Sequence, residues 1–279
     1  MNIVLSLRRF YPLTFTVLAL GAYAQTPGLA IRENGALVDI VFTGTHTLER
    51  ADTIRGQWIT LGNQTDVYTD PDSAVVNQRF YRIHDGAVFS SNAVGYYRLG
   101  MPSGFSMIAN QLTTFSDTVT NLFKSPPENT TLFKFKPATQ GFTIVFYTEG
   151  DWQGGHPELT LGPGEGAFLA TQTAFSQRFL GEVPMSRSVA IPQGWNLLSN
   201  PLPESGPLNL APPTGLGFPI AEGDTIFRWN GVGYSIQTFS EGAWTGDSTQ
   251  PPVVRIGECF FFLRAGPATT WNRTYTVGP

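Results

Sequence analysis

The sequence has little charge, one cysteine and few histidines. Of its 279 residues, 14% are charged, against about a quarter in an average soluble protein, and the formal net charge is −4. Disordered charged tails, coiled coils and nucleic-acid-binding proteins need more charge, so these classes are excluded. A single cysteine excludes an internal disulfide framework and a multi-cysteine zinc site, and three histidines leave little for a histidine-rich metal site. We expect neither a metal nor a cofactor.

Long helical patterns are also lacking, whereas apolar residues and turn formers are abundant. Hydrophobic residues make up 41% of the chain and aromatic residues 13%, which is enough for a substantial core. Thirty glycines and 21 prolines indicate many turns. Helical stretches do not alternate with the strand-like runs, so a parallel α/β fold is not expected. The composition favours an all-β protein.

The N-terminal segment has the features of a secretory signal peptide. Two arginines precede an apolar stretch over residues 10–20, and Ala22-Tyr23-Ala24 fits the rule for a cleavage site. We predict that residues 1–24 are removed and that the mature chain begins at Gln25. Because the two arginines are removed with this segment, the net charge changes from −4 to −6. The alternative, a membrane anchor, is disfavoured because roughly 20 apolar residues are needed to span a bilayer. We therefore expect an exported protein, extracellular or in the cell envelope, with no membrane span after cleavage and no C-terminal anchor.

The clearest internal feature is a duplication. Four segments recur in the same order, at nearly constant offsets of 90 to 94 residues. The matching segments are 104–112 with 194–202, 131–135 with 225–229, 142–152 with 234–244, and 164–168 with 257–261. Small changes of offset indicate insertions in loops. Two copies are fewer than a solenoid needs, so we expect a pseudo-symmetric pair of modules.

The predicted organisation is a signal peptide, an N-terminal β-module and two β-repeats. Their bounds are 1–24, 25–90, 91–184 and 185–279. Runs rich in β-branched and aromatic residues predict strands in both repeats, and whether these form a sandwich or a barrel stays open. A short helix is expected over residues 116–123 with Ser116 as its N-cap, but not in the proline-rich equivalent over 203–219.

The N-terminal module is expected to be small and sandwich-like. Strands are predicted at residues 36–42, 46–49, 58–61 and 79–83, with a turn over 70–73. A core of this size is marginal alone, so packing against the first repeat is expected.

A resemblance supports this organisation. Residues 47–51, 58–61, 69–72 and 79–83 resemble the pattern L-E-x-S…W…L…D-P…R-F-Y-R, which recurs in exported β-rich proteins of environmental Gram-negative bacteria, although Ala51 replaces its serine. The repeat motifs G-[FW]-x-[LM]-[IL]-x-N-x-L and G-E-x-x-F look like a second module of such proteins. The resemblance implies an exported β-rich protein and carries over no activity.

The carboxylates shared by both repeats are the first candidates for chemistry. They are Glu149 with Glu241 and Glu165 with Glu258. A glycosidase needs two carboxylates about 5–10 Å apart across one cleft. Glu165 and Glu258 each follow a turn glycine, which favours carboxylates that accept backbone N–H groups. Because a duplicated catalytic pair would be unusual, we expect no catalytic residues.

Other catalytic and metal-binding patterns are weak. The chain has no Gly-x-Ser-x-Gly elbow, no His-Glu-x-x-His motif, no phosphate loop and no dinucleotide fingerprint. Cys259 lies in an apolar strand-like run, which predicts a buried, inert thiol. Asp70-Pro71-Asp72 is similar to part of a calcium loop, but the pattern does not continue and a plain turn is favoured.

Two tryptophans are the better candidates for binding. Trp152 and Trp244 occupy matching positions in Glu-Gly-x-Trp, and either ring could stack on a sugar. The alternative is that both rings belong to the core, which is the commoner use of matching positions in a duplicated fold. Asn110 and Asn200 are interpreted as turn or bridging amides.

The leading hypothesis is a non-enzymatic exported protein with a structural or adhesive role at the cell envelope or outside the cell. The first alternative is a glycan-binding module or an accessory to polysaccharide use, with Trp152 and Trp244 as binding residues. The second is a hydrolase that uses Glu165 or Glu258. The expected partners are a polysaccharide or another envelope protein, and no nucleic acid.

Overall fold

The computed structural model describes residues 27–154, 156 and 158–278 and is built almost entirely from antiparallel strands, which confirms the predicted all-β class. The elements are β1 (Ala30–Asn34), β2 (Leu37–Ala51), β3 (Ile59–Asp70), β4 (Gln78–Asp85), β5 (Val88–Phe89), β6 (Val94–Met101), β7 (Gly104–Ile108), α1 (Val119–Leu122), β8 (Thr131–Lys136), β9 (Gly141–Thr148), β10 (Asp151–Gln153), β11 (Ala167–Thr171), β12 (Phe175–Glu182), β13 (Ser186–Ile191), β14 (Gly194–Ser199), β15 (Gly206–Pro207), β16 (Thr225–Trp229), β17 (Tyr234–Ser240), β18 (Ala243–Gly246), β19 (Val253–Val254), β20 (Cys259–Arg264) and β21 (Thr269–Thr274). The predicted signal peptide lies outside the described residues. The part of the chain that the structure describes holds no helix with the length and apolar character of a membrane span.

The N-terminal strands belong to one large sheet. Its main order is β1-β2-β4-β6-β12, with β3 paired to β2 and β5 paired to β4. The expected small sandwich over residues 25–90 is thus replaced by a sheet that continues into β6 and β12 of the first repeat. The two strands predicted at 36–42 and 46–49 are one strand, β2, whose register shifts after Val41 and after Leu48. Such bulges bend a strand and let one long strand serve two partners.

A buried carboxylate explains part of the N-terminal motif. Asp70 is fully buried and accepts hydrogen bonds from Arg79 Nη1 at 2.7 Å, Tyr81 OH at 2.5 Å and Tyr96 OH at 3.1 Å. Burial and the bond to Asp70 raise the pKa of Tyr81, so the phenol remains a donor. A buried charge needs this complete set of partners. The segment after Asp70 is a turn, as predicted, and its buried carboxylate is occupied by these partners.

A second group of motif residues stabilises Arg82. Its Nε donates to Glu49 at 2.6 Å, and its guanidinium lies 4.3 Å from the Trp58 ring centroid and 4.6 Å from that of Phe89. Ion pairing together with stacking on two rings suits arginine and not lysine. The resemblance pattern therefore consists largely of residues that hold this sheet together.

The two repeats form five-stranded sheets with the same order. The first is β10-β9-β8-β11-β7 and the second is β18-β17-β16-β20-β14. The strands that flank each sheet in sequence also pair, β6 with β12 and β13 with β21. The predicted helix is shorter than expected, because α1 begins at Val119 and its N-cap residue is Thr118. The Ser116 hydroxyl is hydrogen-bonded to the Thr118 hydroxyl and does not cap the helix. The proline-rich stretch of the second repeat, residues 203–219, contains no helix.

The contacts between the repeats occur in reciprocal pairs. Ala109 N donates to Gly257 O at 2.9 Å, and at the equivalent positions Ser199 N donates to Gly164 O at 3.0 Å. A small buried cluster joins residues of both repeats, namely Ala109 and Phe168 of the first with Leu197 and Cys259 of the second. The same backbone contact therefore occurs twice, with the roles of the two repeats exchanged.

The same pairing extends to the glycines of the G-E-x-x-F motif. Gly164 has φ +97° and lies against Val189, whereas Gly257 has φ +77° and lies against Leu99, the residue equivalent to Val189. Both positions need glycine because their backbone is left-handed and because a Cβ would clash with the other repeat. This part of the motif therefore follows from how the repeats pack together.

Candidate functional site

The outer face of the first five-stranded sheet is covered with large apolar side chains. The cross-strand pairs Phe133–Ile144 and Phe135–Phe142 lie on it, since they alternate with core residues such as Val145. Because successive residues of a strand point to opposite faces, the apolar run in β9 supplies both the core and this outer face.

The second sheet repeats this arrangement. Phe227 pairs with Ile236 and Trp229 with Tyr234, at positions equivalent to those of the first sheet. Phe261 of β20 lies on the same face as Phe227, to which it is paired. The two sheets thus present matching aromatic surfaces.

Ten rings from both sheets form one connected network. We call these ten rings, together with the neighbouring Ile144, Phe146 and Ile236, the aromatic face. Neighbouring ring centroids lie between 4.8 and 6.5 Å apart. The ten rings are Phe105, Phe133, Phe135, Phe142, Phe168, Trp195, Phe227, Trp229, Tyr234 and Phe261.

The ring contacts match between the repeats. Phe135–Phe142 and its equivalent Trp229–Tyr234 are both 5.3 Å between centroids. Other matching contacts are Phe105–Phe133 with Trp195–Phe227, Phe133–Phe142 with Phe227–Tyr234, and Phe168–Trp229 with Phe261–Phe135. Phe168 meets its own equivalent, Phe261, at 5.8 Å, so this pair lies where the two halves of the face join.

Much of this face is open to solvent. Seven of its side chains are between 37 and 50% exposed: Phe105, Phe142, Ile144, Phe146, Trp195, Tyr234 and Ile236. A cleft of about 290 Å³ opens on it, lined by Phe105, Phe133, Phe142 and Phe168 of the first repeat and by Trp229 and Tyr234 of the second. Edge-to-face contacts between the rings hold these side chains in place.

Few polar groups reach the cleft. The Trp229 indole N–H already donates to Phe105 O at 3.0 Å, a bond that also links the two repeats. Burial, and next the neighbouring Cys259, raise the pKa of Tyr234, which keeps its hydroxyl neutral. Cys259 itself is buried beneath the face, its pKa raised by burial, as the sequence predicted. The cleft is therefore an apolar site.

The structure contradicts the binding role expected for Trp152 and Trp244. Both rings are core residues, 6% and 3% exposed. The indole of Trp152 donates to Phe123 O at 2.8 Å, and that of Trp244 donates to Asn209 Oδ1 at 3.1 Å. A ring packed in the core with its N–H engaged cannot stack on a sugar, so the core alternative is the correct one.

The Glu-Gly dipeptide before each tryptophan is a hairpin turn. Glu149 and Glu241 have φ of +55° and +53°, and the following glycines are also left-handed. Two successive positive φ angles define the turn that best joins twisted strands. Glu128 Oε2 accepts the Glu149 N–H, and Glu222 Oε1 accepts that of Glu241. The motif is thus a turn with a carboxylate cap, and it places each tryptophan in the core.

The other shared carboxylates have equivalent structural partners. Glu165 accepts from Lys134 Nζ at 2.7 Å and from a turn N–H at 2.8 Å. Glu258 accepts from Arg228 Nε at 3.1 Å and from the Arg255 N–H at 3.0 Å. Both therefore accept turn N–H groups, as the sequence indicated, and each is also neutralised by a cation from the equivalent strand.

The two asparagines are buried amides, as interpreted from the sequence. Asn110 Oδ1 accepts the Leu112 N–H and Asn200 Oδ1 accepts the Leu202 N–H, at 3.2 and 3.3 Å. Both side chains are fully buried. Within residues 27–154, 156 and 158–278, no group of three or more histidine, cysteine, aspartate or glutamate side chains is placed to hold a metal ion.

The aromatic face is the candidate site that the sequence analysis did not identify. Its signal was present in the alignment of the repeats, since every aligned ring position is aromatic in both copies. Comparisons of the chain with protein-family models, curated proteins and solved structures give no match.

Proposed function

We propose that the chain is an exported, non-enzymatic structural or adhesive protein that associates with a second copy of itself through the aromatic face. The observation that carries this proposal is the exposure of seven large apolar side chains on one connected surface. Soluble monomers rarely expose such a patch without an interaction to cover it.

The size of the patch suits an interface. At about 200 Å² for each fully exposed large side chain, the seven residues expose on the order of 600 Å². Two copies would bury about 1,200 Å² together, the lower bound for specific, stable protein–protein interfaces. The area is sufficient for a dimer without any polar rim.

The chemistry of the face favours an apolar occupant over a sugar. Six aromatic rings line the cleft, and only Trp229 and Tyr234 among them carry polar atoms. Since the Trp229 N–H is already used, a sugar in this cleft would find one free hydroxyl. Sites for sugars need several placed polar groups to recognise the hydroxyls.

The internal repetition of the face favours a second copy as that occupant. A two-fold dimer uses the same patch on both chains, so the patch must match itself. The ring contacts of the first repeat recur in the second, for example Phe135–Phe142 and Trp229–Tyr234 at equal separation. The face therefore presents aromatic side chains at equivalent positions on its two halves.

The non-enzymatic part of the proposal rests on the carboxylates. The pairs that a glycosidase would need are engaged in turns and ion pairs, and Glu165 and Glu258 play equivalent roles in the two repeats. One asymmetric catalytic cleft is not expected from residues with equivalent surroundings.

Sedimentation velocity of the purified protein, over a wide range of concentration up to about 100 µM, tests the proposal because self-association follows mass action. We expect a dimer that the double variant Phe142→Ser/Tyr234→Ser dissociates. Val75→Ser is the matched control: it also removes an exposed apolar side chain, but from a turn in the N-terminal sheet.

The outcomes separate the candidates. A wild-type protein that stays monomeric at every concentration would contradict the proposal. A dimer that survives the double variant would place the interface elsewhere and contradict it equally. If the monomer instead binds a neutral oligosaccharide and the double variant does not, the glycan-binding alternative applies to this face.

A further inference from the structure

A second cleft is polar, and its lining shares no residue with the aromatic face. It opens where β1 and β12, the two ends of the main strand order in the large sheet, approach each other, and its volume is about 880 Å³. Four cations line it, namely Arg32, Arg98, Lys124 and Arg178, against two carboxylates, Glu33 and Glu182, and it also holds hydroxyl side chains such as Ser176. A cationic cleft on a protein of net charge −4 needs an explanation.

Two arginines in this cleft lack carboxylate partners. Arg98 of β6 and Arg178 of β12 are direct cross-strand neighbours. Neither forms an ion pair with any carboxylate of the described residues, whereas the other cations of the cleft do, Arg32 with Asp39 and Lys124 with an exposed glutamate. Like charges placed opposite each other across strands destabilise a sheet.

Backbone carbonyls hold the two guanidinium groups without neutralising them. Arg98 Nη2 donates to Ser73 O at 2.7 Å, and Arg178 Nη2 donates to Ala36 O at 2.6 Å and to Ser73 O at 3.2 Å. The Nε atoms of both side chains are buried and have no hydrogen-bond partner in the described part of the chain. Burial and then the charge of Arg98 lower the pKa of Arg178, and the nearby Glu33 offsets only part of this effect. An anion beside the pair would relieve this repulsion.

We propose that this cleft binds an acidic sugar chain, with its anionic groups on Arg98 and Arg178. The residues of β12 that line the cleft, 176–182, extend over roughly 20 Å at about 3.3 Å per residue, which suits an elongated ligand. Ser125 and Ser176 offer hydroxyl groups, and the fully exposed ring of Phe115 offers a stacking surface at the same cleft.

An inserted peptide strand does not fit this cleft as well. Cα atoms of β1 and β12 come within 8 Å of each other. A strand between them would need about twice the 4.8 Å spacing of neighbouring strands. Recognition therefore comes from side chains that face the cleft. This site is independent of self-association through the aromatic face, and either proposal can fail without the other.

Titration calorimetry on the purified protein tests the inference. The probes are an oligomer of galacturonic acid, a sulfated oligosaccharide of similar length, and the fully methyl-esterified galacturonate oligomer as the neutral control. We expect at least one acidic oligomer to bind and the ester not to bind. Arg98→Gln should weaken that binding roughly tenfold or more, since a charge-assisted hydrogen bond is lost.

Arg255→Gln is the matched control. It removes the same charge from an exposed arginine that has no ion pair within the described residues and lies outside the cleft. Its affinity should equal that of the wild type. Unchanged near-ultraviolet circular dichroism shows that Arg98→Gln is folded. Arg178→Lys is a second variant of the same cleft, in which the guanidinium is lost while the positive charge is kept.

Three results would overturn the inference. The first is no binding of either acidic oligomer. The second is equal binding of the acidic oligomer and its methyl ester. The third is an equal loss of affinity in Arg98→Gln and Arg255→Gln, which would indicate attraction by overall charge and not by this cleft.

Discussion

The packing of Gly166 against Cys259 gives the sharpest test of how the repeats meet. Each residue is the third of the G-E-x-x-F motif in its own repeat. The same motif position of the two repeats therefore lies in contact where the repeats pack together. A Cβ on Gly166 would lie 2.6 Å from Cys259 Cβ, 2.7 Å from its Sγ and 3.1 Å from Leu197 Cγ. The backbone of Gly166 is not left-handed, so the strain in Gly166→Ala comes from this clash and not from φ.

The expected cost follows from which atom is in the way. Cys259 Cβ is fixed by the backbone of β20 and cannot rotate aside, so a strand must move. Overpacking of this kind costs about 2–3 kcal/mol of the free energy of unfolding. For a chain of this size, that loss lowers Tm by roughly 4–12 °C.

A double-variant cycle separates the clash from other effects. Cys259→Gly removes the obstructing atoms, so Gly166→Ala should cost far less in that background, with a coupling of about 1–3 kcal/mol. Urea denaturation followed by tryptophan fluorescence measures all four proteins. Gly100→Ala is the control, because nothing lies within 4 Å of its Cβ position and its backbone is not left-handed.

Additivity would refute the argument. If the double variant loses the sum of the two single losses, Gly166 and Cys259 do not meet as described. The same conclusion follows if Gly166→Ala unfolds at the wild-type urea concentration. Should Gly166→Ala fail to fold alone, recovery of folding in the double variant still supports the contact.

The remaining predictions concern the core, acid stability and export. Trp152→Ala should cost about 3–5 kcal/mol, since it empties a core site and leaves Phe123 O without its donor; urea denaturation measures it, and a stable, folded variant would contradict the core assignment. Asp39 has its pKa lowered, chiefly by the hydrogen bond from Thr69, so its stabilisation is present above the unfolded-state pKa and is lost as pH falls through the folded value. Asp39→Asn should therefore flatten the fall of the urea midpoint below about pH 4, and an unchanged slope would exclude that carboxylate as its source. N-terminal sequencing of the protein recovered outside the cytoplasm should begin at Gln25, whereas an intact first residue would refute cleavage.

Local sequence patterns predicted the strands better than the sheets. The runs at 131–135 and 142–147 are strands because β-branched and aromatic residues favour extended backbone. The union of the N-terminal strands with β6 and β12 was not predictable, since it depends on pairing between segments distant in sequence. For the same reason, the sequence did not show that the two short strands predicted at 36–42 and 46–49 are one strand, β2.

The aromatic face was hidden for a different reason. In β9, Phe142 and Ile144 are exposed while Thr143 and Val145 are buried, yet all four positions are compatible with a core. A strand that is apolar on both faces has no period that tells one face from the other. Such a strand is expected to be covered on both sides, which is the reason to seek a partner for the uncovered one.

The two tryptophans were candidates for binding because either ring could stack on a sugar, while the core stayed the commoner alternative for matching positions. Trp152 pairs with Tyr147 across a tight hairpin, and that register directs its ring to the core. The turn required by Glu149 and Gly150 therefore decides where the indole lies. When the same residue type occurs at equivalent positions of two repeats, a shared role in packing is therefore the first explanation to consider.

The residues around 274–278 determine when folding can finish. Arg55 donates to Thr274 O at 2.8 Å, Tyr275 enters the core cluster that also holds Phe80, and Arg82 donates to Gly278 O. A growing chain has its first sheet long before these partners are synthesised. The N-terminal sheet therefore cannot reach its final packing until residues 274–278 have been synthesised, and contacts of such long sequence separation are expected to form slowly.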